Sequence, residues 1–155
     1  MKKCAILTMD SLNEFVDYDT KLDKPMHTLG WQLDYISWRK RNVDWDNYQA
    51  VVIRSTWDYQ NDIDAFIKAL ETIDNSNAQL LNPLSIINWN INKTYLKQVD
   101  VKGAAIVPTI WLEEFDYALV ADYFPGFNTQ QIVIKPTISA NADNTFWLKK
   151  NDYQK

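Results

Sequence analysis

Residues 51–62, VVIRSTWDYQND, join an apolar run to a polar and aromatic cluster and then to residues that often begin helices. The apolar part extends over residues 48–55 and is typical of a strand covered on both faces, as in the centre of a parallel sheet. Behind the cluster, apolar side chains recur at helical spacing, and Asn61 or Asp62 can cap the first turn, so we predict a helix over residues 62–75. This segment predicts one strand-to-helix unit of an α/β layer.

The flanking sequence supplies the other elements of such a layer. Residues 3–9 predict a buried strand, residues 18–30 a helix closed by a glycine, and residues 31–38 a second, alternating strand. Residues 78–83 predict a short strand that a proline stops. Strand, helix, strand, strand, helix, strand is the order of a small α/β domain with a mainly parallel sheet.

The second half of the chain has a different pattern. Residues 85–103 predict a helical stretch, in which Asn92 can cap a helix whose first turn holds Lys93. Residues 117–124 predict another helix, broken by the Pro-Gly pair that follows it. Residues 130–150 predict an antiparallel hairpin with a long polar tip.

Composition restricts the classes of function. The chain has 155 residues, of which 46% are apolar, as expected for a soluble globular protein of one or two domains. Its 16 basic and 20 acidic residues give a net charge of -4, so we expect no nucleic-acid partner. We expect no signal peptide, no membrane span and a cytoplasmic location. A single histidine, His27, has no partner at metal-ligand spacing.

The polar cluster begins where the predicted central strand leaves the sheet. In parallel sheets, ligands bind beyond the carboxyl ends of the strands, so Arg54, Ser55, Thr56 and Asp58 are candidate substrate-binding residues. The alternative is structural: Arg54 and Asp58 form an ion pair, and Trp57 serves only to fill space.

A second candidate site is at Lys135, which ends the strand QIVIK beside a loop rich in hydroxyl and amide groups. An ammonium group next to such a loop suits an anionic phosphate, because the loop adds backbone N–H donors. The alternative is an ordinary surface lysine. Neither GxxxxGK[ST] nor GxGxxG occurs, so the common phosphate-binding fingerprints are absent from the sequence.

Five segments in order give the sequence a family resemblance. These segments are RSTWDY (54–59), LLNP (80–83), WNINKTYL (89–96), VPTIWL (107–112) and IVIKPTISANADNT (132–145). In them the chain resembles the N-terminal portion of a glutathione-synthetase-like ATP-grasp ligase. It is similar to the O-ureido-serine cyclo-ligase group of cycloserine biosynthesis. The resemblance covers nearly the whole chain. It implies a Rossmann-like pre-ATP-grasp domain over residues 1–84 and part of an α+β ATP-grasp subdomain over residues 85–155, with the C-terminal ATP-grasp half missing.

The resemblance also assigns roles to residues. Lys93 and Lys135 would contact the phosphates of ATP, and the loop SANADN would cover them, with backbone N–H groups of Ser139, Ala140 and Asn141 as donors. This loop contains no glycine, which departs from what a mobile phosphate-binding loop usually needs.

The implied reaction is ATP-dependent joining of two small molecules, a carboxylate and an amine. ATP phosphorylates the carboxylate, and the amine attacks the resulting acylphosphate, while Mg²⁺ and lysines neutralise the phosphates. Arg54 is the candidate partner of the substrate carboxylate. The Mg²⁺ ligands are expected in the missing C-terminal part, so the chain alone is expected to be inactive. The alternative is a non-catalytic α/β module that binds a nucleotide, a carbohydrate or a protein.

Overall fold

The computed structural model describes residues 1–153. Its contacts divide the chain into two compact units, Met1–Ile91 and a second unit that begins at Asn92. No helix within the described residues is long and apolar enough to cross a membrane.

The first unit is built on a four-stranded sheet. Its strands are β1 (Lys2–Thr8), β2 (Trp31–Ser37), β3 (Ala50–Ser55) and β4 (Gln79–Leu81). They lie in the order β2-β1-β3-β4, and every neighbouring pair is parallel. The sheet is the parallel α/β layer that the sequence predicts, and β3 is one of its two inner strands.

Three helices accompany this sheet. Helix α1 (Asp23–Thr28) follows a 3₁₀ turn, and α2 (Ile63–Asp74) follows β3. The predicted cap of α2 is confirmed, because the Asp62 side chain accepts a 3.1 Å hydrogen bond from the Ala65 N–H. Helix α3 (Leu84–Asn90) begins directly behind Pro83.

One face of the sheet packs against α2. Leu7 and Val51 of the inner strands and Phe66, Leu70 and Ile73 of α2 are buried in a common cluster. Because these helix positions recur at spacings of three and four residues, they form the apolar stripe that fixes α2 on the sheet.

The boundary between the two units falls later than the sequence-based boundary at residue 84. Leu84, Ile87 and Ile91 pack against the core of the first unit, so α3 belongs to that unit in the structure. The assignment of the two segments to named ATP-grasp domains stays a prediction.

The second unit contains helices and a hairpin. Its elements are α4 (Tyr95–Val101), α5 (Val120–Phe127), β5 (Gln131–Ile134) and β6 (Phe146–Lys149). The two strands pair antiparallel, with Ile132 opposite Leu148, as the sequence predicts.

Two local predictions for this unit are wrong. Helix α5 continues through Pro125 and Gly126 and ends before Asn128, which adopts the left-handed conformation with φ 48°. Pro125 has no backbone N–H to donate to the carbonyl four residues before it, but the helix is maintained through this position. Helix α4 begins at Tyr95, and Lys93 therefore lies in the turn before it, while the Asn92 side chain accepts from the Thr94 N–H.

Candidate functional site

The carboxyl edge of the parallel sheet holds the first group of candidate residues. Strand β1 lies between β2 and β3. The chain therefore runs from β1 to β2 on one side of β1, and then crosses to β3 on its other side. A reversal of this kind opens a crevice at the carboxyl ends of the two inner strands. Here those ends are Thr8 and Ser55, and the Met9 N–H donates a 2.8 Å hydrogen bond to the Ser55 carbonyl.

Arg54 is paired with a carboxylate at this edge. Its Nε and one terminal nitrogen donate to Oδ1 of Asp19 over 2.9 and 2.6 Å, and the Ser55 hydroxyl donates to Oδ2 over 2.6 Å. Asp19 belongs to the 3₁₀ turn Asp19–Leu22, in the connection that follows β1. The alternative ion pair between Arg54 and Asp58 is therefore wrong, because the nearest acid in sequence is not the acid that the topology brings to Arg54.

Asp19 is a buried charge with a full set of partners. Only 2% of its surface is exposed. Burial raises its pKa, but hydrogen bonds from Arg54 and Ser55 and the positive charge of Arg54 outweigh burial, so the pKa of Asp19 lies below its usual value. The carboxylate is consequently ionised at neutral pH.

The other predicted substrate-binding residues differ in access. Ser55 and Thr56 are buried, with 1% and 4% of their surfaces exposed. Asp58 accepts a 2.8 Å hydrogen bond from the indole N–H of Trp38 and forms an ion pair with Arg39. Only Arg54 keeps a large accessible side chain, of which 51% is exposed.

The two predicted phosphate-binding lysines, here called the lysine cluster, lie on segments of the second unit that are in contact, because Lys93 binds the loop that follows Lys135. Lys93 Nζ donates to the carbonyl and the hydroxyl of Ser139, both over 2.9 Å, and its backbone N–H donates to the Thr137 carbonyl over 2.8 Å. Burial and the charge of Lys135 lower the pKa of Lys93. The turn before α4 and the loop after β5 are thus joined through Lys93.

The glycine-free loop adopts backbone conformations that glycine usually provides. Asn141, Ala142 and Asn144 have φ values of 51°, 59° and 50°. Asparagine enters this left-handed region more easily than other residues, whereas alanine pays a steric penalty there. Residues 140–143 form a turn with Asn141 and Ala142 at its centre, in which the Asp143 N–H donates to the Ala140 carbonyl over 2.8 Å. The sequence therefore forms a tight loop without glycine.

Sequence reasoning missed Asp19 and Arg39. Asp19 lies in the acidic segment DYDT, residues 17–20, and its distance of 35 positions from Arg54 hides the pair. The signal that could have found it is topological, since loops that follow neighbouring parallel strands meet at one edge of the sheet. Within residues 1–153, no group of three or more His, Cys, Asp or Glu side chains is placed to hold a metal ion.

Comparison with known proteins gives the family. Residues 4–82 match the family described as D-cycloserine synthetase DcsG, N-terminal domain. The chain belongs to this family. The match covers α2 and all four strands of the sheet β2-β1-β3-β4 except the first two residues of β1, and it includes Asp19 and Arg54.

A DcsG protein and a DcsG structure extend the likeness beyond that domain. The chain is 27% identical over 135 residues to the cycloserine biosynthesis protein DcsG of Streptomyces lavendulae. The aligned region covers 84% of this chain and 45% of that protein. It also superimposes on the crystal structure of D-cycloserine synthetase DcsG with a TM-score of 0.80 and 25% identity, over 96% of this chain and 51% of that one. These findings confirm the resemblance to the cycloserine-biosynthesis ligase group. The chain spans about half the length of the DcsG relatives it matches.

Proposed function

We propose that this chain forms the N-terminal part of a cytoplasmic, ATP-dependent carboxylate–amine ligase or cyclo-ligase that works through an acylphosphate. Membership of the DcsG N-terminal-domain family supports a ligase-related role. The observation that carries the proposal is the lysine cluster, in which Lys93 is bound to the loop residue Ser139 and feels the charge of Lys135.

The lysine cluster suits the phosphates of ATP. Two like charges that lie close together repel each other, and a polyphosphate relieves that repulsion. An ammonium group has three N–H donors, and Ser139 takes two of those on Lys93. The third donor has no partner among residues 1–153 and is available to a phosphate oxygen. Bound Mg-ATP would supply the phosphoryl group, and the lysines would neutralise its charge during transfer.

The loop after β5 would add weaker contacts. Ser139 and Ala140 precede the left-handed turn, Asn141 begins it, and the backbone N–H groups of these three residues are the proposed additional donors. We place the Mg²⁺ ligands outside residues 1–153.

Arg54 is the proposed partner of the carboxylate substrate in the first unit. Its side chain is half exposed at the carboxyl edge of the sheet, and arginine suits planar carboxylates. Ser55 and Thr56 lie buried beside it, and Asp58 is bound by Trp38 and Arg39, so these three would act by shaping the site.

The test uses protein expressed from the longest reading frame that contains these 155 residues. ATP hydrolysis that depends on both a carboxylate and an amine, with amide formation, is expected. Lys135→Met should raise the KM for ATP or lower kcat by about 10- to 100-fold, because a charge-assisted hydrogen bond is lost. Lys102→Met, at the end of α4, changes the same charge and is the control. Unchanged ATP kinetics in Lys135→Met would contradict the assignment, and complete absence of hydrolysis would favour a non-catalytic module.

A further inference from the structure

Every polar atom of Asp19 has a hydrogen-bond partner. Its N–H donates to Asp17 Oδ1 over 2.9 Å, and its carbonyl lies 2.9 Å from the Tyr35 hydroxyl, which shares its single proton with Asp23 Oδ1 at 2.7 Å. Its two side-chain oxygens accept from Arg54 and Ser55. Since Asp19 is also buried, neither its backbone nor its carboxylate is free to reorient. Asp19 is therefore a fixed anchor for the Arg54 guanidinium.

This anchor occupies only one edge of the Arg54 guanidinium. Nε and one terminal nitrogen share a single oxygen of Asp19, which uses two of the five N–H donors of an arginine. The remaining three donors, on the two terminal nitrogens, have no partner among the described residues. Two parallel N–H groups on that edge match the two oxygens of a carboxylate.

We propose that Asp19 is a positioning residue that holds Arg54 so that its unoccupied edge receives a substrate carboxylate at the end of β3. The inference rests on the proposed function for the class of substrate. An unrestrained arginine side chain loses its freedom when it binds a ligand, and Asp19 imposes that order in advance. The ion pair therefore prepares Arg54 for a ligand, in addition to stabilising the fold.

Removing the charge of Asp19 changes the affinity of Arg54 for an anion in opposite directions, depending on whether Asp19 positions Arg54 or only contributes its negative charge. A negative charge beside Arg54 repels an approaching carboxylate, so its removal alone should strengthen anion binding. If Asp19 positions Arg54, its removal should instead weaken that binding. Asp17 offers a matched control, because its charge also acts on Arg54 while it makes no hydrogen bond to the guanidinium.

The experiment is a titration of the 155-residue chain with sodium acetate at low ionic strength, followed by NMR of the Arg54 side-chain N–H signals, with Arg54→Lys used for their assignment. Acetate is expected to shift these signals in the natural chain. Asp19→Asn should weaken acetate binding about two- to tenfold, because the neutral amide oxygen orders the guanidinium less strongly than the charged carboxylate oxygen does. Asp17→Asn keeps the acceptor oxygen and should bind acetate equally well or more tightly.

Each other outcome has a defined meaning. Equal or tighter acetate binding by Asp19→Asn, or no acetate shift at Arg54 in the natural chain, would overturn the inference. If the backbone spectrum shows that Asp19→Asn is unfolded, Ser55→Ala is used in its place. Ser55→Ala removes only the hydroxyl that donates to Asp19 Oδ2, and it should also weaken acetate binding. An unchanged acetate affinity in this variant would overturn the inference.

The inference and the proposed function can fail separately. An acetate site on Arg54 that depends on Asp19 would support positioning even if the longest reading frame shows no ligase activity. Conversely, an active ligase in which Arg54→Ala raises the KM for the carboxylate but Asp19→Asn does not would retain the proposed function and overturn the positioning role.

Discussion

Lys93 experiences two effects that disfavour its charge, namely burial and the neighbouring charge of Lys135. Lys135→Met removes the second effect, so we expect the pKa of Lys93 to rise toward its ordinary value. An NMR titration of the Lys93 side-chain carbon next to Nζ measures this change. Lys102→Met removes a lysine that does not act on Lys93 and should leave the pKa in place. A Lys93 pKa that is identical in the natural chain and in Lys135→Met would mean that the two ammonium groups do not interact.

Asp19 should make the first unit more stable at neutral than at acidic pH. Its folded-state pKa lies below the unfolded value of about 3.9, so the folded protein binds fewer protons at this group. The stabilisation is therefore present above the unfolded pKa and is lost as the pH falls through the folded pKa. Relative to Asp19→Asn, the natural chain should be about 1–3 kcal/mol more stable at pH 7, toward the lower end because Arg54 is half exposed.

Urea unfolding at pH 7 and pH 3, read from amide signals of β1 and β3, measures this difference. The difference between the two proteins should be smaller at pH 3. A difference that is the same at both pH values would show that Asp19 contributes through shape and not through its charge.

The residue-level predictions from sequence succeeded or failed according to chain distance. Arg54 lies at a strand end, as the sequence predicts, but its ion-pair partner is Asp19, 35 positions away, and not Asp58, four positions away. No local pattern contains that contact, since it depends on how β1 and β3 are paired. The pairing of Lys93 with Lys135 was likewise not visible in spacing and came from the family resemblance.

At the level of single elements, the cap of α2 can be tested. Asp62→Ala removes the hydrogen bond to the Ala65 N–H and should cost the first unit about 1 kcal/mol. Asp64→Ala, in the same first turn, removes an equal charge but no capping bond, and it should cost less. Urea unfolding of both variants at pH 7 gives the comparison. An equal loss in the two variants would show that charge near the helix end, and not the cap, stabilises α2.

Elements with a strong period were predicted best. The inner strands, α2 and the hairpin of β5 and β6 each combine an apolar pattern with clear end signals, and the structure confirms them. The end of α5 was wrong because the helix accommodates Pro125 and Gly126 and ends only where Asn128 adopts the left-handed conformation. The start of α4 was wrong because Asn92 forms a local turn with Thr94 that resembles a cap in sequence.

The loop between β5 and β6 should respond to glycine with opposite signs at two neighbouring alanines. Ala142 has φ 59°, where alanine is strained, so Ala142→Gly should stabilise the second unit by up to about 1 kcal/mol. Ala140 has no positive φ, so Ala140→Gly should destabilise it by about 0.5–1 kcal/mol. Urea unfolding read from hairpin amide signals measures both. Effects of the same sign would contradict the left-handed conformation at Ala142.

At the level of the whole molecule, the two units differ in what supports their roles. The family match ends at residue 82 and covers the first unit except its termini and α3, whereas the DcsG structure matches 96% of the chain and so includes most of the second unit. In the proposed reaction, Arg54 of the first unit binds the carboxylate substrate, and the lysines of the second unit bind the phosphates of ATP. Both units are therefore needed for the proposed ligase function.

The 155-residue chain is expected to fold without binding Mg-ATP at micromolar concentration. The first unit has two inner strands and a buried helix face, so amide exchange should be slow in β1 and β3. Exchange should be faster across residues 139–144, where Asn141, Ala142, Asp143 and Asn144 are exposed. Lys135 is also exposed, so water and salt weaken its hold on phosphate. Calorimetric titration with Mg-ATP, with the Lys135→Met chain as the control, and amide exchange by NMR test this expectation. A micromolar dissociation constant that persists in Lys135→Met would place the nucleotide site away from the lysine cluster.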